Sequence, residues 1–238
     1  NDPEGTNQLL GVSVSHGLPG LDKDIKNVLE MTAHESAKFK FETLAEAQGT
    51  GAKVEAALEK NARAAGTTGT FFFYYTGHGS PGSIYLQDGE LRIEKIKAAM
   101  QKGRAGLGPM ARLVFMLDSC YSGSNIDPLN LGLLPGTQAF NQLWVDDVVQ
   151  KLTPNSWEEG SDYWKEIFVL MSSRANETSL AGENGSVFTV ALKKAWDESI
   201  AGRLTMKDFV AKTKQYTQGH HPVEKFEPAD LANEKMVD

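Results

Sequence analysis

The sequence predicts an α/β fold, a mostly parallel sheet with helices on both faces, and three observations support that class. Apolar runs without polar alternation, bounded by Gly and polar residues, read as strands buried on both faces. Between those runs lie segments with apolar residues at three- and four-residue spacing, as crossover helices require. The chain has 238 residues, 40% hydrophobic and 23% charged, which is enough to bury one large core in a single domain.

Leu9–Val14 is the first buried run, and Asp22–Ala33 after it has helical apolar spacing. Phe39–Leu44 alternates, as an edge strand does. Ala52–Ala64 reads as a helix, Thr70–Tyr75 as a second buried strand and Leu91–Gln101 as a further helix. Leu113–Leu117 and Ile167–Met171 complete the buried strands, and Val187–Ile200 returns to helical spacing. Thr205, followed by Asp208 and an apolar-periodic run, resembles a capping box that opens a helix to about Tyr216. Residues 123–165 are dense in Gly, Pro, Asn and Asp and read as a long connection with a short helix near Asn141–Lys151. The polar, charged stretch after Pro222 is expected to pack loosely. No repeat or low-complexity tract interrupts the chain.

Composition excludes several classes. A formal net charge of −7 argues against a general nucleic-acid binder, which needs a basic face for phosphates. No apolar run approaches the roughly 20 residues of a spanning helix, so no membrane partner is expected. A single Cys rules out an internal disulfide, and packing must supply the stability. The chain opens on Asn1 and reads as a processed product from which a leader could have been removed. The sequons Asn176-Glu-Thr and Asn184-Gly-Ser are compatible with secretion. The expectation is a soluble protein, with the cytoplasm favoured and the outside left open.

The chemistry concentrates in two segments of one design. Phe71-Phe-Phe-Tyr-Tyr-Thr-Gly-His-Gly79 and Leu113-Val-Phe-Met-Leu-Asp-Ser-Cys-Tyr-Ser122 are strand-like runs that end at His78 and at the lone Cys120. In open α/β sheets ligands bind at the carboxyl ends of strands, so both residues fall just past a strand end where a site belongs. An imidazole beside a thiol stabilises the thiolate, which is the nucleophile. The backbone N–H groups of Gly79 and Cys120, if they converge, make a two-donor hole for a tetrahedral oxyanion. Ser122, Gly123 and Ser124 leave room for a peptide. The plain structural alternative is a buried core cysteine with a satisfied histidine. It fits poorly, because both residues follow strands among small neighbours.

Tyr74-Tyr-Thr-Gly-His-Gly79 and Asp118-Ser-Cys-Tyr-Ser-Gly123 resemble the histidine and cysteine boxes of caspase-like cysteine peptidases, with the metacaspase branch, including its bacterial members, most similar. Leu18-Pro-Gly-Leu-Asp-Lys-Asp24 is similar to the segment that opens the family's first helix. Ser172-Ser-Arg-Ala-Asn-Glu-Thr178 and Asn184-Gly-Ser-Val-Phe-Thr189 resemble the start of its smaller subunit, and the Gln218 to Pro222 stretch also fits, so that about residues 8–222 are covered. The resemblance implies a three-layer α/β/α sandwich of about six strands over residues 1–238, with a large-subunit-like part (1–122), a connecting loop (123–165) and a small-subunit-like part (166–238). It also implies His78 as general acid/base, Cys120 as nucleophile, Gly79 N–H in the oxyanion hole and no third triad carboxylate.

The same resemblance assigns the substrate pocket. Asp118 stands where metacaspases carry an aspartate facing a substrate Lys or Arg, Asp24 matches a second acidic pocket residue and Thr76 a small hydroxyl-bearing one. Two carboxylates in one hollow favour a cation, so cleavage after Arg or Lys is expected. Ser172, Ser173 and Asn176 fall where the family contacts bound peptide. Asp24 also reads as a plain first-turn acid favoured by the helix dipole, Asp118 as structural, and Asp22 as an exchange for Asp24. Tyr121 departs from the His that follows the nucleophile in many metacaspases.

Self-cleavage in the 123–165 connection would use Lys151 or Lys165, its only basic residues. Some metacaspases need calcium; Asp146-Asp147, Glu158-Glu159 and Asp162 are acidic but lack an EF-hand pattern and read as surface acidity. No zinc site is expected from one Cys and five scattered His, and no cofactor is required. The partners implied are peptide or protein substrates, acted on by a monomer. Two alternatives stay open: a legumain-, clostripain- or gingipain-like peptidase of other specificity, and a non-catalytic relative that binds or regulates.

Overall fold

The computed structural model describes residues 5–33, 38–80, 82–121, 145–146, 148–152, 163–174, 181–182, 184–217 and 222–235. In chain order the elements are β1 (Gln8–Val14), α1 (Leu21–Thr32), β2 (Lys40–Ala45), α2 (Gly51–Ala64), β3 (Thr70–Ser80), β4 (Ser83–Leu86), β5 (Gly89–Arg92), α3 (Ile93–Gly103), β6 (Met110–Tyr121), β7 (Trp164–Arg174), β8 (Ala181–Gly182), β9 (Gly185–Ser186), α4 (Val187–Gly202), α5 (Met206–Tyr216) and β10 (Val223–Glu227). Residues 145–146 and 148–152 are also helical and overlap the short helix expected near Asn141–Lys151, running one residue past it.

The main sheet runs β10-β7-β6-β3-β1-β2. Its five strands from β7 to β2 are parallel, and β10 pairs antiparallel on the outer edge of β7. Alternation along each strand sends side chains to two cores. Phe73, Tyr75, Phe115 and Leu117 pack with Val54 and Leu58 of α2 and Ile96 of α3 on one face. Phe72, Tyr74, Met116 and Leu170 pack with Val28 of α1, Trp196 of α4 and Phe209 of α5 on the other. Each fully buried side chain of this size contributes about 1.5–3 kcal/mol. A one-residue slip would exchange the two faces, so burial on both sides fixes the register that the site depends on.

Three sequence expectations need correction. The strands β3, β6 and β7 continue beyond their apolar runs to Ser80, Tyr121 and Arg174, so His78 and Cys120 lie within the last residues of their strands and not past them. The ladders continue because polar and small residues pair through backbone groups as well as apolar ones do. Leu91 and Arg92 are not helical: they belong to a hairpin, β4–β5, whose two-residue turn is Gln87-Asp88. Asp88 of that turn accepts a hydrogen bond from the Gly51 N–H (2.8 Å) and so caps α2, whose own Thr50 makes no side-chain cap.

The stretch after Pro222 is the third correction, for it is firmly packed. Phe226 of β10 stacks on Phe168 with ring centroids 4.8 Å apart, and Leu231 is buried in the core beyond it. Arg112 of β6 bridges Glu166 (2.9 Å) and Glu234 (2.6 Å), tying the two adjacent strands to this segment. The Thr205 cap is as expected: its Oγ1 accepts the Asp208 N–H at the start of α5. Among the described residues no helix is long and apolar enough to cross a membrane.

Candidate active site

Three adjacent strands bring the expected site residues into rows. In the β3–β6 ladder Thr76 pairs with Asp118 and His78 with Cys120; in the β6–β7 ladder Asp118 pairs with Ser172. Parallel neighbours stand only about 4.8 Å apart. Residues far apart in the chain thus become side-by-side positions at the carboxyl end of the sheet. The backbones of Ser173 and Arg174 follow Ser172 on β7.

Thr76, Asp118 and Ser172 each lie two residues beyond a side chain of the α1/α4/α5 core (Tyr74, Met116 and Leu170), so strand alternation turns them to that same face. There they meet Asp24, in the first turn of α1, and the start of α4. Asp24 accepts the Thr76 hydroxyl (3.0 Å) through Oδ2 and the Ser186 backbone N–H (2.6 Å) through Oδ1. Asp118 accepts the Ser172 hydroxyl (3.1 Å) on Oδ1, and the hydroxyls of Ser186 and Thr189 (3.0 Å for the latter) on Oδ2. Tyr74 Oη and Thr189 Oγ1 are 2.7 Å apart and extend the network into the core. Both carboxylates are 0% exposed. Buried carboxylates persist only where hydrogen bonds satisfy them, and here each also sits at a helix N-terminus, whose partial positive charge favours an anion.

Two glycines are dictated by this packing. Gly185 has φ +108°, and a Cβ on it would lie 2.6 Å from Asp24 Oδ1, so a side chain there would expel the carboxylate. At Gly77 a Cβ would lie 2.5 Å from Tyr75 Oη and 2.7 Å from the Val14 carbonyl, so only glycine lets β3 pass between them to His78.

His78 is half-buried. Tyr75 Oη donates toward the His78 carbonyl (2.6 Å) and the Tyr85 carbonyl (2.8 Å), pinning the backbone that carries the imidazole. A second imidazole, His16, lies with its ring centroid 6.3 Å from that of His78 and is itself held by a 3.1 Å contact to the Leu86 carbonyl. Gly79 is buried and is the register partner of both Tyr121 and Ile84, so it stands where the main sheet meets the β4–β5 hairpin.

Of the other expected residues, Asn176 lies outside the described residues. Lys151 is in the helical 148–152 stretch and pairs with Glu94 (3.7 Å), and Lys165 is the second residue of β7. Most of the connection 123–165 lies outside the described residues. Asp22 is exposed and lies beside Lys23, 3.8 Å away, whereas Asp24 is buried against Thr76 and Ser186. Of the two, Asp24 is the one hydrogen-bonded to Thr76.

Sequence reasoning gave no site role to Ser186, Thr189, Gly185, Tyr74 and Tyr75, which it met only as motif residues, and did not pick out His16. One signal was present: a Ser just before an apolar-periodic helix is an N-cap, and Ser186 Oγ does accept the Thr189 N–H (3.1 Å). Its second task, reaching two acids on distant elements, has no local signature.

This sandwich, a mostly parallel sheet with a His strand and a Cys strand adjacent in register, is the architecture of a caspase-like peptidase domain. The family model for the caspase domain matches residues 10–225, and the chain belongs to that family. By family it is a caspase-like cysteine peptidase domain. A crystal structure of protein GSU0716 from Geobacter sulfurreducens is similar in fold, with 20% identity over 98% of each chain and a TM-score of 0.64. No curated protein matches the sequence.

Proposed function

We propose that this chain is a cysteine endopeptidase that hydrolyses peptide bonds after Arg or Lys, of the metacaspase kind. The observation that carries the proposal is the pairing of His78 with Cys120 across the β3–β6 ladder, two positions beyond the Thr76–Asp118 pair that reaches Asp24. The Cys120 thiolate attacks the scissile carbonyl carbon, and the oxyanion is held by the N–H groups of Gly79 and Cys120. His78 gives its proton to the leaving amine, which departs as the thioester forms. A water then attacks the thioester with His78 as base, releasing the acid and restoring the thiol.

Asp24 and Asp118 favour the cation of the residue before the scissile bond. Two carboxylates at the end of one side-chain hollow attract a cation and disfavour an acidic side chain. Ser172, Ser173 and Asn176 would contact the bound peptide. The scheme balances without a metal or other cofactor, and it needs one chain only.

A panel of fluorogenic Arg, Lys, Asn and Asp peptides tests the specificity: turnover of the Arg and Lys members is expected, and preference for Asp would overturn the pocket assignment. Covalent labelling by an arginyl chloromethylketone, lost in Cys120→Ala, tests the nucleophile. Self-processing belongs to the same proposal, with Lys151 and Lys165 as the sites. Both lie in regular secondary structure, which must open locally before a peptidase can take the chain in extended form. Intact-mass spectra should show fragments for the wild type and none for Cys120→Ala; fragments in both would rule self-processing out.

A further inference from the structure

We propose that Ser186 is an internal occupant of the cation pocket: it satisfies Asp24 and Asp118 in the empty site and gives way when a basic side chain enters. This rests on the reading above, in which those two carboxylates recognise Arg or Lys.

Ser186 reaches both acids, through its backbone N–H to Asp24 Oδ1 (2.6 Å) and its hydroxyl to Asp118 Oδ2. A carboxylate oxygen offers about two acceptor sites. Asp118 Oδ2 already takes two hydroxyls, from Ser186 and Thr189, and Oδ1 takes Ser172. Both acids are wholly shielded from solvent, so an incoming guanidinium or ammonium cannot reach them while every present donor keeps its place.

The donors differ in how firmly they are held. Thr76 and Ser172 lie within β3 and β7, each strand paired on both sides at those levels or just beside them. Thr189 is in the first turn of the 16-residue α4, which Phe188, Leu192 and Trp196 anchor in the core. Ser186 ends the two-residue strand β9, which is held by a two-pair ladder to β8 and by one bond from Asn27 Nδ2 to the Asn184 carbonyl (2.8 Å); beyond the acids, its hydroxyl is tied at the very start of α4, where it accepts the Thr189 N–H (3.1 Å). Gly185, with φ +108°, supplies the joint before it. Of these four donors Ser186 is the one that yields.

The consequence is a competition. Each hydrogen bond that Ser186 makes to a carboxylate in the empty pocket is one that the substrate cation must replace, so the residue lowers the affinity for the side chain it resembles in position. Removing the hydroxyl should tighten ground-state binding without touching the chemical step.

The test uses wild type, Ser186→Ala, Ser186→Thr and Asn27→Ala, with benzamidine binding measured by calorimetry and KM and kcat on an arginyl peptide. Ser186→Ala should bind benzamidine about threefold to tenfold more tightly and show a KM lower by a similar factor, with kcat unchanged. Ser186→Thr keeps the hydroxyl and should match the wild type. Asn27→Ala frees the turn without touching either acid and should shift both readouts the same way by a smaller factor, which keeps the proposal testable if loss of the α4 cap unfolds Ser186→Ala. Unchanged or weaker benzamidine binding in a folded Ser186→Ala, or in Asn27→Ala, overturns it. A wild type that neither binds benzamidine nor cleaves arginyl peptides removes the cation reading, and this proposal with it. A wild type that does both, with unaltered variants, removes this proposal alone.

Discussion

The phenol oxygen of Tyr75 lies 2.6 Å from the carbonyl oxygen of His78, three residues further along β3. The same phenol reaches the Tyr85 carbonyl on β4 at 2.8 Å, and the intervening Gly77 has no room for a Cβ beneath it. One buried hydroxyl thus fixes both the hairpin and the segment that presents the imidazole. Tyr75→Phe should cost about 1–3 kcal/mol in urea unfolding, because the one buried hydroxyl proton shared between the two carbonyls is lost. With the His78 backbone released, kcat on an arginyl peptide should fall on the order of tenfold with KM little altered. An unchanged kcat would mean that His78 is positioned by other contacts.

Asp118 receives three side-chain hydroxyls, and its negative charge is what the specificity proposal uses. Asp118→Asn keeps the shape, removes the charge and turns an amide donor toward groups that are themselves donating. Turnover of Arg and Lys peptides should drop on the order of a hundredfold in kcat/KM. Retained Arg or Lys selectivity in this variant would show that Asp24 alone reads the cation, or that the pocket lies elsewhere.

Ser119 stands between Asp118 and Cys120 in β6 but on the opposite face of the sheet, fully buried, and its hydroxyl has no hydrogen-bond partner among the described residues. A buried hydroxyl without a partner is a liability, so Ser119→Ala should stabilise the fold by about 1 kcal/mol while leaving activity intact. Denaturant unfolding decides the matter. A less stable variant would show that the hydroxyl finds a partner in solution.

Helices α4 and α5 are joined by Glu198, which accepts Lys212 Nζ (2.7 Å) and the Tyr216 phenol (2.7 and 2.9 Å). The Lys212 hydrogen bond first, then that of Tyr216, holds the Glu198 carboxyl below its usual range. A carboxyl depressed in the folded state adds stability above its unfolded value, and that stability is lost as pH falls through the folded one. Wild type and Glu198→Gln should therefore separate in urea titrations at neutral pH and converge in acid. A gap that stays constant with pH would assign the effect to packing and not to charge.

The parts of the fold legible in the sequence were those where one residue's neighbours decide its state. Phe71 to Tyr75 and Ile167 to Met171 are buried on both faces, so unbroken apolar runs marked them as central strands. Thr205 and Asp208 make a local cap and were equally plain. The β4–β5 hairpin was missed although Asp88-Gly89 is a turn signal, because the helical spacing of α3 ran on through Leu91. β10 was missed because a short, charged edge strand with a few half-buried positions lacks the pattern of a core element. At the candidate site, Asp24, Thr76 and Asp118 came from resemblance, and the structure brings them together. Ser186 and Thr189 were out of reach, since their significance depends on contacts with residues 68 and 71 positions away.

β10 occupies the outer edge of β7, the strand that carries Ser172, and it comes from residues 223–227, after everything else in the sheet. During synthesis β7 must wait, its edge amides and carbonyls facing outward, until this last ribbon leaves the ribosome. A growing chain halted before that point offers a docking edge to any extended peptide nearby, including another unfinished copy. Vigilance by chaperones would matter most in that interval.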